Sequence, residues 1–266
     1  MPYLPIRDID IWFERAGSGA PLLAIAGSRG DLRRKPNLLD SPLAEAFDVL
    51  AYDHRGLGRT SKPDKPYPMA DFADDAAALL DAVGWKRVAV VGVSFGGMVA
   101  TELVVRHPER VARLALCCTS PGGEGGSSYP VHLFQDLSAE ERGRAMVPIS
   151  DTRCDAAWAA ANPERLAELI NRLGDEPFAG EPGHRIGTRR LLEARRQHDV
   201  WERLDQIRCP VLICGGKYDG TALPSTQRSM ADRIAEAKLR MFEGGHLFLW
   251  QDSSAFAEIA RFLRTP

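Results

Sequence analysis

The stretch Gly92-Val93-Ser94-Phe95-Gly96-Gly97 decides how the rest of this chain is interpreted. It follows the apolar run 88–91 and precedes a segment with helical spacing, 98–106. A serine on such a sharp strand-to-helix turn is held in a strained backbone conformation, and the residues two before and two after it must be very small. Gly92 and Gly96 occupy those two positions. The pattern predicts that the turn lifts the serine hydroxyl above a sheet, at a helix N-terminus that favours negative charge.

A glycine-rich phosphate-binding loop is the alternative interpretation of the same motif. No Gly-Lys-Ser/Thr follows it, and no acidic residue ends a second strand at the spacing of a dinucleotide site. The strand before the motif and the amphipathic helix after it therefore favour a reactive serine.

Composition restricts the possible partners. The chain has 266 residues, of which 44% are hydrophobic, and 34 Lys and Arg against 36 Asp and Glu give a formal charge of −2. This length suits one α/β domain with an insertion. A balanced charge does not predict binding to nucleic acid or to an anionic membrane surface. No apolar run approaches the roughly 20 residues that cross a bilayer, and the stretch 1–5 does not have the pattern of a signal peptide.

The cysteines indicate a reducing compartment. There are five, an odd number, without a Cys-x-x-Cys spacing. Cys117, Cys118 and Cys214 lie in apolar runs typical of buried strands. We expect a cytoplasmic protein without structural disulfides. Since no cluster of ligand-type side chains stands out, we expect neither a metal nor a cofactor.

The order of predicted elements indicates the fold class. Apolar runs bounded by turns predict strands at 3–6, 9–14, 22–26, 47–52, 88–91, 114–119, 211–215 and 238–242. Helical spacing predicts helices at 42–46, 69–83, 98–106, 226–236 and 254–263. In the helix 69–83, aspartates 71, 74, 75 and 81 are assigned to the outer face. This alternation predicts an α/β fold with a mostly parallel sheet flanked by helices on both faces.

The alternation breaks after a glycine-rich exit at 120–128. Residues up to about 200 are charged and helical in pattern, without a convincing strand. We therefore divide the chain into a core of 1–120 and 205–266 and an inserted helical cap at 121–204. A separate helical domain is the alternative.

Three residues carry the expected chemistry. A serine hydroxyl needs a base to take its proton, and the base needs a group that fixes its tautomer. His246 follows two glycines after the last predicted strand, and Asp219 follows the strand before it. Both therefore belong to the same edge of the sheet as Ser94, in the order nucleophile, acid, histidine. Asp252 is the alternative acid, although it is also placed to cap the final helix.

Acyl transfer also needs hydrogen-bond donors for the developing oxyanion. The backbone N–H of Phe95, directly after the serine, is one candidate. The second is the N–H of Ser28, because Gly27 allows the loop after the strand 22–26 to approach closely.

Together these residues resemble an α/β-hydrolase fold enzyme over nearly the whole length. The matching segments are Ala26-Gly27-Ser28, Asp53-His54-Arg55-Gly56-Leu57-Gly58, the serine motif, Asp219 and Gly245-His246. Within that superfamily the chain is most similar to the group of 3-oxoadipate enol-lactonases and small carboxylesterases. The resemblance implies Ser94 as nucleophile, Asp219 as acid, His246 as base, and the amides of Ser28 and Phe95 as the oxyanion hole.

Two features depart from the common pattern. Many relatives have His-Gly where this chain has Ala26-Gly27, which leaves the shape of the oxyanion loop open. The basic segment Arg29, Arg33, Arg34 and Lys35 is either a solvated loop or a source of one arginine for a substrate carboxylate. Arg55 is interpreted as a structural anchor.

The expected activity is cleavage of a small carboxylic ester or lactone through an acyl-enzyme. Two alternatives stay open: hydrolysis of a C–C bond in a diketone ring-fission product on the same three residues, and a ligand receptor without turnover. Trp158 and Trp250 are candidate substrate contacts, with burial in a helical core as the other interpretation. The sequence gives no indication of the oligomeric state.

Overall fold

A computed structural model describes residues 3–264, which form one eight-stranded sheet with helices on both faces. The strands are β1 Tyr3–Ile6, β2 Ile9–Ala16, β3 Ala20–Ile25, β4 Phe47–Tyr52, β5 Val88–Val93, β6 Val111–Cys117, β7 Val211–Gly216 and β8 Lys238–Phe242. Their order in the sheet is β1-β2-β4-β3-β5-β6-β7-β8. β1 and β2 pair antiparallel, β2 pairs antiparallel with β4, and every further neighbouring pair is parallel.

Most of the helices follow strands, as the alternating pattern predicts. The α-helices within residues 3–264 are α1 Leu43–Ala46, α2 Met69–Ala82, α3 Phe95–Arg106, α4 Ala139–Ser150, α5 Ala156–Ala161, α6 Pro163–Gly174, α7 His184–Arg196, α8 Pro224–Arg233, α9 Phe248–Gln251 and α10 Ala255–Arg264. Short 3-10 helices lie at Leu38–Asp40, Pro108–Arg110, Gly123–Gly125, Val131–Phe134 and Trp201–Gln206. The predicted α/β class with a mostly parallel sheet is confirmed.

The sheet is buried on both faces. In β5, Val88 and Val90 pack into one apolar cluster and Ala89 and Val91 into another. A parallel strand covered by helices on both sides needs such a continuous apolar sequence, because successive side chains point to opposite faces. The central strands therefore form a rigid platform whose carboxyl edge carries the loops of the site.

The segment between β6 and β7 contains only helices among its regular elements, α4 to α7 with three short 3-10 helices. It has a small apolar cluster of its own around Val147, Ile170 and Leu173. Leu191 of α7 packs instead into the larger cluster on one face of the sheet. The segment therefore packs against the sheet through α7 in addition to its own small core.

One assignment in α2 is wrong. Asp75 is not on an outer polar face but buried, where it accepts hydrogen bonds from Arg55 Nε at 2.6 Å and Nη2 at 2.7 Å. Arg7 Nη1 donates to the same carboxylate at 2.9 Å. Burial of a carboxylate is tolerated when it is paired and hydrogen-bonded in this way.

Candidate active site

Ser94 lies on the turn between β5 and α3 in a strained conformation, with φ of 56° and ψ of −116°. A Cβ on Gly92 would lie 2.4 Å from the Gly96 carbonyl oxygen, and a Cβ on Gly96 would lie 2.1 Å from the Ile25 carbonyl oxygen. Neither position can therefore hold a side chain without moving the backbone. The glycines predicted from the motif are required by this close packing of β3, β5 and α3.

His246 meets this serine from the turn after β8. Its Nε2 lies 3.0 Å from Ser94 Oγ. The His246 amide donates to the Ser150 carbonyl oxygen at 2.6 Å, and the Gly245 amide donates to Gln251 Oε1 at 2.8 Å. These two bonds fix the backbone of the turn, so the imidazole is positioned by its loop and by the end of α4.

Asp219 lies behind the imidazole, in the turn after β7. Its Oδ2 is 2.9 Å from His246 Nδ1, and its side chain is buried, with the residue 1% exposed. The other oxygen, Oδ1, accepts the amides of Thr221 at 2.8 Å and Ala222 at 2.9 Å. A carboxylate accepting from Nδ1–H leaves the Nε2 lone pair directed at the serine hydroxyl.

The two candidate oxyanion loops also meet at the serine. A Cβ on Gly27 would lie 3.5 Å from Ser94 Cβ, so the backbone just before Ser28 passes beside the serine. Phe95 is the first residue of α3, where amides have no partner within the helix. The structure brings these two candidates to one place.

Two residues that support the Ser28 loop were part of the sequence motif, but their roles were not predicted. His54 is buried and its Nε2 lies 2.9 Å from the Ala26 carbonyl oxygen. Since that oxygen can only accept, Nε2 carries the proton. Burial lowers the pKa of His54 to about 4, so the ring is neutral at pH 7.

Asp53 holds the same loop further along. It accepts the Leu32 amide on Oδ1 and the Arg59 amide on Oδ2, each at 2.8 Å. Burial raises the pKa of Asp53 to about 6, against the effect of those two amides. The sequence did carry a sign of these two loop-supporting roles, because Asp53 and His54 are polar residues that directly follow the buried strand β4.

Arginines of the basic segment contact the helical segment 121–204. Arg29 donates from its two Nη atoms to the carbonyl oxygens of Leu173 and Asp175 at the end of α6. Arg33 pairs with Asp31 at 2.7 Å and with Glu181, and its guanidinium lies 3.5 Å from the centre of the Phe178 ring. These contacts tie the Ser28 loop to the helical segment and were part of neither interpretation from the sequence. Arg29 and Arg34 also line the cavity that contains Ser94, and binding of a substrate carboxylate by one arginine of the segment stays a prediction.

A cavity of about 1400 Å³ opens onto Ser94 and His246. Trp250 lines it and is 43% exposed, whereas Trp158 on α5 is not among the lining residues. The remaining wall comes mostly from the loop after β3 and from α7. Of the two candidate tryptophans, the structure brings only Trp250 to the cavity.

One group of ligand-type side chains lies at the site. Atoms of Cys118, Asp219 and His246 are all within 4.8 Å of one another. A metal there would require the imidazole to give up its hydrogen bond to Asp219 and the thiol to lose its proton. Burial raises the pKa of the Cys118 thiol well above its usual value, so the hydrogen-bonded arrangement is favoured.

Within residues 3–264, no helix combines the length and the apolar character needed to cross a membrane. All five cysteines are free thiols.

Comparison with known proteins places this geometry in a family. The profile of the alpha/beta hydrolase fold matches residues 24–253. The putative carbamate hydrolase RutD of Azorhizobium caulinodans is 30% identical to this chain, over 97% of this chain and 96% of its own length. The 3-oxoadipate enol-lactonase 2 of Acinetobacter baylyi is 25% identical, over 80% of this chain and 76% of its own.

Solved structures show the same fold over the whole length. The enol-lactonase from Burkholderia xenovorans superposes with a TM-score of 0.81 and 24% identity, covering 99% of this chain and 100% of that one. Est816, described as an N-acyl homoserine lactone degrading enzyme, superposes with a TM-score of 0.71 and 25% identity, covering 98% and 99%. The chain belongs to the alpha/beta hydrolase fold family.

Proposed function

We propose that the protein is a serine hydrolase that cleaves a small carboxylic ester or lactone through an acyl-enzyme. The observation that carries this proposal is the chain of hydrogen bonds from Ser94 Oγ to His246 Nε2 at 3.0 Å and from His246 Nδ1 to Asp219 at 2.9 Å. A hydroxyl, a base and an orienting carboxylate in this order activate a nucleophile at neutral pH.

The reaction has two halves. Ser94 Oγ attacks the carbonyl carbon while His246 Nε2 takes its proton, and the amides of Ser28 and Phe95 stabilise the oxyanion. The imidazolium then protonates the departing alkoxide, which leaves an ester bond to Ser94. A water deprotonated by His246 then attacks the acyl carbon of this ester. The bond from that carbon to Ser94 Oγ breaks, the imidazolium returns its proton to Oγ, and the carboxylic acid is released.

The helical segment 121–204 is proposed to act as the cap that selects the substrate. It contributes α7 to the cavity wall and fixes the His246 turn through Ser150, while Trp250 adds an apolar surface near the base. The five free thiols fit a reducing cytoplasm, where we expect the protein to work without a cofactor.

Carbamate hydrolysis is a second candidate, favoured by the 30% identity to the putative carbamate hydrolase of Azorhizobium caulinodans. The same nucleophile attacking a carbamate would give a carbamoyl-enzyme, so the two candidates share their first step and differ in substrate. Hydrolysis of a C–C bond and ligand binding without turnover remain outcomes of the test.

Labelling with a fluorophosphonate, followed by peptide mapping, tests the nucleophile. The wild type should be labelled at Ser94, and Ser94→Ala should abolish labelling and lower ester hydrolysis by about 10⁴-fold or more. Ser229→Ala is the matched control, because Ser229 lies in α8, which does not line the cavity, and this variant should retain both. Equal hydrolysis by wild type and Ser94→Ala would refute the mechanism.

A substrate panel then separates the candidates. Short alkyl esters, simple lactones, N-alkyl carbamates and a diketone ring-fission product are compared by kcat/KM. Fastest turnover of the esters or lactones supports the main proposal, and fastest turnover of the carbamates or the diketone replaces it. If nothing is turned over while a panel compound raises the unfolding temperature, the protein is a receptor.

A further inference from the structure

The end of β6 binds the backbone of Ser94 at two points. The Ser94 amide donates to the Cys117 carbonyl oxygen at 2.8 Å. The Thr119 hydroxyl, Oγ1, donates to the Ser94 carbonyl oxygen, also at 2.8 Å. Both backbone polar groups of the serine are therefore bound by the three-residue stretch 117–119.

Cys118, in the middle of this stretch, has a strained backbone with φ of 41°. A residue other than glycine is uncommon in this left-handed region, and it persists there only when the surrounding contacts hold it. The Cys118 amide donates to the Cys214 carbonyl oxygen on β7 at 2.8 Å. With the chain bent at Cys118, the Cys117 carbonyl oxygen and the Thr119 hydroxyl reach the same serine.

Gly97, the last glycine of the serine motif, leaves room for the Thr119 side chain. A Cβ on Gly97 would lie 2.6 Å from Thr119 Cβ and 2.7 Å from its Oγ1. Thr119 is 1% exposed, and in the described part of the chain it is not among the residues that line the cavity at Ser94. Any effect of Thr119 on the reaction therefore passes through Ser94.

The Ser94 carbonyl belongs to the same peptide unit as the Phe95 N–H, one of the two candidate oxyanion donors. This peptide bond is trans, so its C=O and N–H are coplanar and point in opposite directions. A hydrogen bond that fixes the Ser94 carbonyl oxygen therefore also fixes the direction of the Phe95 N–H. Donors of an oxyanion hole are effective because they are oriented before the charge develops.

Two amides of α3 also donate to the Ser94 carbonyl oxygen, that of Gly97 at 2.9 Å and that of Met98 at 3.3 Å. They belong to the same helix as Phe95, so they hold the peptide relative to the helix alone. Thr119 follows β6, the neighbour of β5 in the sheet. Its hydroxyl therefore holds the peptide relative to the sheet whose loops carry the other two residues of the site.

The second candidate donor, the Ser28 N–H, is oriented on the same principle. The carbonyl oxygen of its own peptide unit, that of Gly27, accepts the Gly30 amide at 2.9 Å. A backbone amide makes that hydrogen bond, whereas a side-chain hydroxyl makes the one at Ser94. The bond at Ser94 can therefore be removed by substitution.

We propose that Thr119 is a positioning residue for acyl transfer, whose hydroxyl orients the Phe95 N–H towards the oxyanion by holding the Ser94 carbonyl. This inference rests on the proposed esterase or lactonase activity and names a further residue on which the rate depends. Because the oxyanion exists only in the transition state and the tetrahedral intermediate, Thr119 affects kcat and leaves KM nearly unchanged.

Thr119→Val tests the proposal, because it replaces the hydroxyl by a methyl group of similar size. Removing an oxyanion donor outright costs about 10²- to 10³-fold in kcat, so we expect a misdirected donor to cost about 10- to 100-fold on a short alkyl ester. Thr119→Ser keeps the hydroxyl and should restore kcat close to the wild-type value. An unchanged kcat in a folded Thr119→Val protein would overturn the proposal.

Thr101→Val is the matched control. Thr101 is also 1% exposed, and its Oγ1 donates to a backbone carbonyl oxygen, that of Gly97, at 2.7 Å. The substitution removes the same kind of buried hydrogen bond from a peptide that holds no candidate donor. It should leave kcat near the wild-type value, and a loss equal to that of Thr119→Val would assign both threonines to stability alone.

A trifluoromethyl ketone provides a readout that a role in stability would not change. Ser94 Oγ adds to its carbonyl carbon, the hydroxyl proton passes to His246 Nε2, and the carbonyl electron pair becomes the oxyanion. The inhibition constant of the Thr119→Val variant should rise by the same factor as its kcat/KM falls. A lower unfolding temperature with an unchanged inhibition constant would overturn the proposal.

The peptide itself can be observed without activity. Ser-Phe occurs once in the sequence, so ¹³C at the serine carbonyls and ¹⁵N in phenylalanine give a single correlated NMR signal for this peptide. The signal should move in Thr119→Val and stay near the wild-type position in Thr119→Ser and Thr101→Val. If the wild type cleaves no ester or lactone, the proposed function fails, and an unmoved signal would separately refute the role of Thr119.

A second pair of variants covers a failure to fold. If Thr119→Val does not fold, Thr119→Ala is compared with Thr119→Ser, since both lack the methyl group and only the serine keeps the hydroxyl. A lower kcat in Thr119→Ala supports the proposal, and equal kcat values would overturn it.

Discussion

Asp219 fixes the orientation of the His246 ring. One of its carboxylate oxygens accepts from His246 Nδ1 at 2.9 Å, while the other accepts from two backbone amides. The carboxylate therefore cannot rotate without losing two hydrogen bonds. The imidazole is held in one tautomer and in one orientation, with Nε2 towards Ser94.

Asp219→Asn should lower kcat for ester hydrolysis by about 10⁴-fold, because the amide stabilises the wrong imidazole tautomer. Asp252→Asn is the control, since Asp252 accepts the amides of Glu243 and Ser254, both away from the imidazole. It should leave kcat near the wild-type value. The kcat values of both variants are measured by steady-state kinetics on one ester. A larger loss of kcat in Asp252→Asn than in Asp219→Asn would assign the role of the acid to Asp252.

Gly96→Ala should destabilise the fold strongly, because the added Cβ would lie 2.1 Å from a backbone oxygen of β3. We expect a loss of about 3 kcal/mol or more in the free energy of unfolding, since this clash can be relieved only by moving backbone. Gly180→Ala has nothing within 4 Å of its Cβ and should change little. Urea titration measures both, and similar stabilities would contradict the packing described.

Arg55→Met should leave Asp75 buried with only part of its partners. Arg55 is fully buried in its side chain, and its loss removes two of the hydrogen bonds to that carboxylate. We expect the free energy of unfolding to fall by about 3 kcal/mol. Arg144→Met, which breaks an exposed pair with Glu140, should have no measurable effect.

His54 should make stability dependent on pH in a definite window. Its pKa is about 4 in the folded protein, below the ordinary value of 6.5, so acid protonates the unfolded chain first. Its contribution is complete above pH 6.5 and is lost as the pH falls towards 4. Between pH 7.5 and 5 this loss amounts to about 2 kcal/mol.

His54→Gln isolates that contribution. The glutamine amide can still donate to the Ala26 carbonyl oxygen but does not titrate. The drop in unfolding free energy from pH 7.5 to 5 should therefore be smaller in the variant than in the wild type, as measured by urea titration at each pH. Identical drops would show that folding does not lower the pKa of His54.

Elements with a strong local signal were predicted well. β4 and β8 end where the apolar runs end, and the three residues 94, 219 and 246 meet as their strand order required. The start of α3 was placed three residues late, because two glycines in its first turn are poor helix formers and mask it. The single turn α9 lay within an apolar stretch that gave no helical period.

Long-range pairings could not be predicted in the same way. The sequence shows that Asp75 is charged, but it does not show that Asp75 is paired with Arg55, which lies 20 residues earlier in the chain. The partners of Arg29 lie about 145 residues away and are backbone carbonyls, which every residue has. No residue pattern marks such an acceptor, so neither interpretation of the loop from the sequence included these contacts.

The hydrogen bonds from Arg29 to the end of α6 limit how the substrate specificity of this protein can be engineered. The strand-end loop that carries Ser28 is anchored to the helices that wall the cavity, so these helices cannot be exchanged for those of a relative as an independent specificity module. A transplanted segment that moved the two acceptor carbonyls would shift a candidate oxyanion donor along with the wall. Changing what the cavity admits would then also change how fast the bond breaks.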